Sequence, residues 1–310
     1  MSVMTATRPL IDILPKARGA MIADAPLDKL TWFRTGGKAE VLFTPEDADD
    51  LASFLAARPI DVPMTVIGLG SNLLIRDGGV PGVTIRLGRS FATIKMHGDS
   101  ILAGAGAMDR AVSEFAQGMS MSGLEFLCGV PGTVGGALRM NAGCYGGEMK
   151  DVTEEARALD PVGNMRFLSV TDLGFTYRHC AVPDDWIFLD AVLEGPAGSA
   201  TAIAARMVEI RREREESQPL GTRTGGSTFA NPPGQKAWQL IDKAGCRGMT
   251  IGGAQVSEKH CNFLINTGKA TGDQLETLGE EVRRRVRETS GVELEWEIRR
   301  IGVAGGKQPW

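Results

Sequence analysis

Histidine is nearly absent from this chain: three residues in 310, His97, His179 and His260, far apart in sequence. That scarcity argues against a zinc centre and against a Ser-His-Asp hydrolase, since both need imidazole at fixed places; no metal ion is expected. Cysteine is sparse as well. Cys128, Cys144, Cys180, Cys246 and Cys261 are an odd number with no CxxC pair, which reads as reduced, mostly buried thiols of a cytosolic protein. There is no excess of positive charge: 34 Lys and Arg stand against 38 Asp and Glu, a net charge of −4. Neither nucleic acid nor an anionic membrane surface is therefore an expected partner. No apolar run is long enough to span a bilayer, and residues 1–20, with scattered Arg and Asp, do not read as a secretory signal. A cytoplasmic protein is the expectation, with a monomer as the expected assembly.

What is abundant is glycine. The chain has 40 glycines, nearly twice the usual share of about 7%. They cluster at 68–82, 123–147 and 221–253. Apolar residues run through the same stretches, so these are tight turns and places where backbone meets a ligand rather than flexible linkers. Hydrophobic residues make up 43% and charged residues 23%, a globular balance that sets disorder aside. The length exceeds one ordinary core, so two or three lobes are expected.

The pattern along the chain predicts mixed helix and strand in three lobes. Residues 1–88 form an N-terminal arm with one helical segment and a first lobe. In that lobe a helix begins at Thr44-Pro45-Glu46-Asp47, with Thr44 as cap, and runs through Leu51, Phe54 and Leu55. Strands follow at 64–68, 73–76 and 83–87. Residues 89–203 form a second lobe, with a strand at 101–104, a helix at 109–117 ending at Gly118, and strands at 157–159, 165–169 and 186–193. Residues 204–310 form the third. A charged helix at 202–216 leads into a Gly-rich turn, followed by helices at 237–244 and 272–288 and strands at 262–266 and 292–301. The run from Arg211 to Glu216 reads as a salt-bridged, solvated face.

Four motifs could carry chemistry. Gly68-Leu69-Gly70-Ser71-Asn72 starts like a dinucleotide fingerprint, but Leu73 stands where a third glycine belongs. The turn also leads into a strand instead of a helix, so a Rossmann site is not indicated. Such a turn binds phosphate through successive backbone N–H groups, or it is an ordinary strand connection. The stretch from Gly123 through Gly129, Pro131, Gly132, Thr133, Gly135 and Gly136 to Asn141, Ala142 and Gly143 lets main chain lie flat against a large ligand. The alternative is a tight helix–loop contact. Gly225-Gly226-Ser227 presents a serine that is not a nucleophile elbow, so a functional Ser227 would be a hydrogen-bond or proton donor, against the plainer reading of a turn serine. Arg178 and Glu297 are charges on strand-like stretches, which base rates alone would leave exposed.

The order of these motifs resembles the UDP-N-acetylenolpyruvoylglucosamine reductase (UDP-N-acetylmuramate dehydrogenase) family along nearly all of residues 30–302. The matching elements are Phe33-Arg34-Thr35-Gly36-Gly37, the Gly68–Asn72 turn, the stretch from Gly123 to Gly143, Tyr177-Arg178, Gly226-Ser227 with Phe229 and Asn231-Pro232, the Gly252-Gly253-Ala254 element, Asn262-Phe263 and Glu297-Ile298-Arg299. The resemblance implies an α+β chain with the vanillyl-alcohol-oxidase (PCMH) type of FAD-binding fold, two lobes holding the flavin and a third α+β lobe binding the UDP-sugar. Nothing between Cys180 and Ser217 leaves room for the extra tyrosine-bearing loop of one family type, so the shorter type is implied. Two positions depart from the family pattern: Cys180 replaces the usual Ser, and Ala230 stands where Lys is common.

The resemblance also implies roles. FAD and NADPH are the cofactors and UDP-N-acetylglucosamine enolpyruvate the substrate. Arg34, Gly68, Gly70, Ser71, Asn72, Gly129, Gly132, Thr133, Gly135, Gly136, Asn141, Ala142 and Gly143 fall to FAD. Arg178, Ser227 and Glu297 are the catalytic residues, and Tyr177, Asn231 and His260 are placed with the substrate. NADPH would reduce the flavin, which then gives hydride to the vinyl carbon. Arg178 with Glu297 would stabilise charge building toward the carboxylate, and Ser227 would protonate C2. The competing expectations are an oxidase of the same fold and a non-catalytic nucleotide-binding scaffold.

Overall fold

The structure is a computed structural model and describes residues 8–306. In the first lobe the strands run in the spatial order Ala20–Pro26, Lys38–Thr44, Val80–Arg86, Met64–Ile67. The first pairing is antiparallel and the other two are parallel. Parallel strands need a crossover, and the helix Ala48–Ala57 makes the one from Lys38–Thr44 to Met64–Ile67. Leu51, Phe54 and Leu55 recur at helical spacing and pack against Phe43, Val83 and Ile85. Asp47 caps this helix, accepting from the Asp50 N–H at 2.9 Å. The expected cap, Thr44, is instead the last residue of the preceding strand. In place of the helical segment expected in the arm, the described residues show two 3-10 turns, at Leu10–Asp12 and Asp28–Leu30. Residues 20–26 join the sheet edge from Ala20↔Thr44 to Pro26↔Lys38, a tertiary partner that local pattern does not reveal.

The second lobe is a five-stranded antiparallel sheet in the order Met165–Ser169, Thr153–Leu159, Ile187–Leu193, Ser100–Gly104, Ile94–His97. The central strand Ile187–Leu193 is buried along its whole length. It contributes Ile187 and Leu189 to the first lobe's core and Phe188, Ala191 and Leu193 to the second's, which joins the two. Helix Asp109–Gly118 adds Val112 and Ala116 to the second lobe's core, and the short helix Val134–Arg139 packs directly on the strands Ile187–Leu193 and Ser100–Gly104. Residues 194–199 then lead directly into the helix Ala200–Ser217. That helix crosses residue 203 and packs Ile203, Met207 and Ile210 against Cys128 and Tyr145.

The third sheet is ordered Arg223–Ser227, Phe263–Asn266, Ala254–Val256, Thr250–Ile251, with helices Ala237–Lys243 and Gly272–Ser290 packed on it. The expected Gly-rich turn is therefore a strand. It pairs Thr224 with Ile265 and Ser227 with Phe263, with an irregularity between that two glycines accommodate. The strand expected over 292–301 is reduced to Arg299–Ile301. The segment before it is held by Trp296, whose ring lies 5.1 Å from Phe229 and whose indole N–H donates to Glu280 at 2.8 Å. Arg299–Ile301 then runs parallel to Leu73–Ile75, so this late segment is stitched into the first lobe. Among the described residues, no helix is long and apolar enough to cross a membrane.

Candidate active site

A cleft of about 930 Å³ opens where the lobes meet. One wall is the turn Gly68 to Asn72 at the end of the strand Met64–Ile67. Gly70 has φ of +65°, and a Cβ there would overlap the Leu30 carbonyl, so the turn requires glycine. Its carbonyl accepts from the Trp32 N–H at 3.1 Å. The facing wall is the segment 129–136 with Ala142 and Gly143. Thr133 precedes the short helix Val134–Arg139, whose first N–H is spent on the Ala107 carbonyl at 3.0 Å. Glycines at 68, 70, 129, 132, 135, 136 and 143 leave much of the lining as bare backbone. A flat or phosphorylated ligand can approach such a surface closely.

Arg178, Ser227 and Glu297, far apart in sequence, line this one cleft. Arg178 sits in a tight turn with φ of +54°, closed by the Thr176–His179 bridge. Its Nε donates to Glu297 Oε1 at 2.9 Å and its Nη2 to the Gly143 carbonyl at 2.7 Å. The two side chains keep 23% and 16% of their surface exposed, so the pair is sheltered yet reachable. Burial pushes the Glu297 carboxyl above its ordinary value, while Arg178 pulls the other way. Glu297 is fixed through its main chain. Its N–H donates to the Thr228 carbonyl at 2.9 Å, and the Asn72 amide donates to its carbonyl at 3.2 Å. Thr228 follows Ser227, so the serine and the glutamate are set by one short stretch of backbone.

All of the expected cofactor residues line the cleft except Arg34 and Asn141. Arg34 is exposed and donates to the Lys29 carbonyl at 2.7 Å. Asn141 is fully buried behind the wall: its amide donates to Glu148 at 2.7 Å and to the Thr176 carbonyl at 2.9 Å, and its oxygen accepts from the Lys150 N–H. It therefore holds the Arg178 turn in place. The three expected substrate residues also lie off the cleft lining. The Tyr177 ring supports the Arg178 guanidinium, 4.9 Å from its centroid. Asn231 accepts from the Ala237 N–H at 3.0 Å, ahead of the helix Ala237–Lys243. His260 stacks edge-on to Phe263 and Trp238, and burial lowers its pKa. Of the two departures noted in sequence, the Cys180 thiol is buried and donates to the Leu173 carbonyl at 3.3 Å, and the Ala230 N–H donates to the Glu295 carbonyl at 2.9 Å.

Arg214 lines the cleft and was hidden in the charged run. It follows Met207 and Ile210 at helical spacing, on the buried stripe of its helix, and that phase is the signal that singles it out. Its Nε donates to Gln218 at 3.0 Å, and burial lowers its pKa. A sheltered cation facing a cleft suits an anionic ligand group. Asp109, at the start of the helix Asp109–Gly118, is a second lining residue without a sequence signal.

Comparisons with known proteins agree with this geometry. Residues 39–169 match the family model of an FAD binding domain, and residues 218–301 match that of the UDP-N-acetylenolpyruvoylglucosamine reductase C-terminal domain. The chain is 62% identical over 303 residues to the UDP-N-acetylenolpyruvoylglucosamine reductase of Parvibaculum lavamentivorans, covering 98% of each chain. It is 63% identical over 292 residues to that of Paramagnetospirillum magneticum, covering 94% of this chain and 95% of the relative. A solved structure of UDP-N-acetylenolpyruvylglucosamine reductase from Thermus caldophilus superposes with a TM-score of 0.80 at 34% identity, covering 93% of this chain and all of that one. The fold is thus the FAD-binding type expected from the motifs, carried with a family-specific third lobe, and the chain belongs to the UDP-N-acetylenolpyruvoylglucosamine reductase family.

Proposed function

We propose that this chain reduces UDP-N-acetylglucosamine enolpyruvate to UDP-N-acetylmuramate for peptidoglycan synthesis in the cytoplasm, using NADPH and an FAD seated in the cleft. The observation that carries the reading is the Arg178–Glu297 pair, 2.9 Å apart, lining the same cleft as Ser227 and a wall of glycines. The residues present fit a flavin: much of one wall is glycine backbone that a planar group can approach closely, and the glycine-rich turn Gly68 to Asn72 adjoins it. When bound, FAD supplies two-electron transfer between the nicotinamide and the enol ether.

The chain's residues do the rest. Arg178 presents a fixed cation toward the substrate carboxylate, where negative charge grows as the double bond is saturated, and preorganised charge of this kind is the largest help a site offers. Glu297 orients that guanidinium. A proton retained on its buried carboxyl would also remove repulsion with the substrate carboxylate. Ser227 delivers a proton to the carbon beside the carboxylate. Serine is a weak acid, so it acts late, against a strongly basic carbanion. Arg214 offers a second cation for the anionic parts of the nucleotide sugar.

The test is spectroscopic. Purified protein is expected to be yellow, to bleach with NADPH, and to regain colour on anaerobic addition of the enolpyruvyl nucleotide sugar. Recovery with air alone, as fast as with the nucleotide sugar, would instead identify an oxidase, and absence of bound flavin would identify a scaffold.

A further inference from the structure

The segment that carries Arg178 leaves the second lobe's sheet after Ser169 and returns to it at Ile187. The base of this excursion is closed by the Ala181 N–H, which donates to the Leu173 carbonyl at 2.8 Å. Arg178 sits beyond that closure with φ of +54°, a conformation that a residue bearing a Cβ keeps only where its surroundings hold it. The hold comes from one stretch, residues 139–143, at the end of the helix Val134–Arg139. Arg139 grips the returning arm: its Nη1 donates to the Val182 carbonyl at 2.5 Å and its Nη2 to the Trp186 carbonyl at 2.7 Å. Asn141 grips the chain before the turn, through the Thr176 carbonyl at 2.9 Å. The Gly143 carbonyl takes Nη2 of Arg178 itself at 2.7 Å. Three alternate residues of the cleft wall thus meet the segment before, at and after the catalytic cation.

Packing alone does not explain Arg139. Its side chain is only 14% exposed, and burial disfavours its charge. The Asp184 carboxylate lies 3.8 Å away and is 76% exposed, so that pair contributes little. What the planar fork does accomplish, with its face 4.9 Å from the Phe188 ring centroid, is to span two carbonyls of one loop in fixed geometry. We propose that Arg139 is a positioning residue for the reaction: together with Asn141 it sets Arg178 at a fixed place against the glycine-rich wall. A loop released at Val182 and Trp186 lets the guanidinium drift from the point where charge develops, and a misplacement of about 1 Å costs on the order of 100-fold.

The inference rests on Arg178 being the cation that meets the substrate carboxylate, and the experiment separates the two ideas. Both half-reactions of full-length, FAD-loaded wild type, Arg139→Met, Arg139→Lys, Arg178→Ala and the double variant Arg139→Met/Arg178→Ala are followed by stopped-flow absorbance. Arg139→Met is expected to slow reoxidation of the flavin by the enolpyruvyl nucleotide sugar by about 10- to 100-fold. Reduction by NADPH and affinity for FAD should stay within a few-fold of wild type, a pattern that a misfolded protein cannot give. Arg139→Lys keeps the charge without the fork and should be slowed as well. In the Arg178→Ala background, Arg139→Met should cost nothing further, because a residue that acts through another is idle once the other is gone. Should Arg139→Met not fold, the same cycle is run with Arg139→Lys. Wild-type reoxidation in Arg139→Met, equal losses in both half-reactions, a full-speed Arg139→Lys or an additive loss in the double variant would each overturn the proposal. Wild-type reoxidation in Arg178→Ala would overturn the reading of Arg178 with it, whereas a crippled Arg178→Ala beside an unaffected Arg139→Met would sink this inference alone.

Discussion

At the scale of single residues the cleft divides labour in a way kinetics can read. Ser227→Ala should leave reduction of the flavin by NADPH intact and slow its reoxidation by the nucleotide sugar by 100-fold or more, roughly the cost of losing one group that acts only in the transition state. Equal losses in both half-reactions, followed by stopped-flow absorbance, would remove Ser227 from the proton-donor role. Arg214→Met should raise KM for the nucleotide sugar about 10-fold with little change in kcat, the signature of binding lost equally from ground and transition states. A fall in kcat with KM unchanged would count against it. Residues that belong to a motif could be picked out in the sequence: Arg178, Ser227 and Glu297 were singled out by type and order, and the structure brings them to one cleft. Residues that depend on helix phase or on burial were not. Arg214 looked like one charge among six, and only its position on the stripe of Met207 and Ile210 distinguishes it. Asn141 was read as facing the flavin because it belongs to the glycine-rich stretch, yet its amide is consumed inside the wall.

Elements carry a different set of expectations. The turn between Thr153–Leu159 and Met165–Ser169 is organised by Asp160, which accepts from the N–H of Asn164 and Val162 and from the Arg166 guanidinium. Burial works to raise its pKa, but these donors prevail and hold it at about 2, below an ordinary 3.8. A depressed carboxyl stabilises the fold above the unfolded value and loses that contribution as pH falls through the folded one. Asp160→Asn should therefore melt lower than wild type at neutral pH, and the gap should close between pH 4 and 2. A gap independent of pH, measured by circular dichroism, would show that the charge is idle. Helices and strands with clear periodicity could be read from sequence to within a few residues, as with Asp109–Gly118 and Gly272–Ser290. The errors fell where a partner elsewhere decides. Glycine-rich Arg223–Ser227 is a strand because Phe263–Asn266 pairs with it, and most of 292–301 is not one because Trp296 is anchored on the helix Gly272–Ser290.

For the whole molecule, the lobes are tied by contacts between segments distant in sequence. Arg299–Ile301 pairs with Leu73–Ile75, and Arg76 and Arg300 both bond Glu276 at 2.8 to 3.0 Å. Cofactor binding at their junction should stabilise the assembly as a unit. At free FAD about 100 times its Kd, linkage contributes about 2.7 kcal/mol, which raises Tm by roughly 4 °C in a chain of this size. Differential scanning fluorimetry reads it, and no shift would place the flavin outside the folded structure. The amino-acid order alone determined the fold class, the family and the three catalytic candidates, because those are carried by local patterns: periodicity, glycine turns and the succession of motifs. Only the tertiary structure decided which of the named residues face the cleft and which brace its walls. Facing and burial are set by distant segments closing on one another, and no local pattern records them.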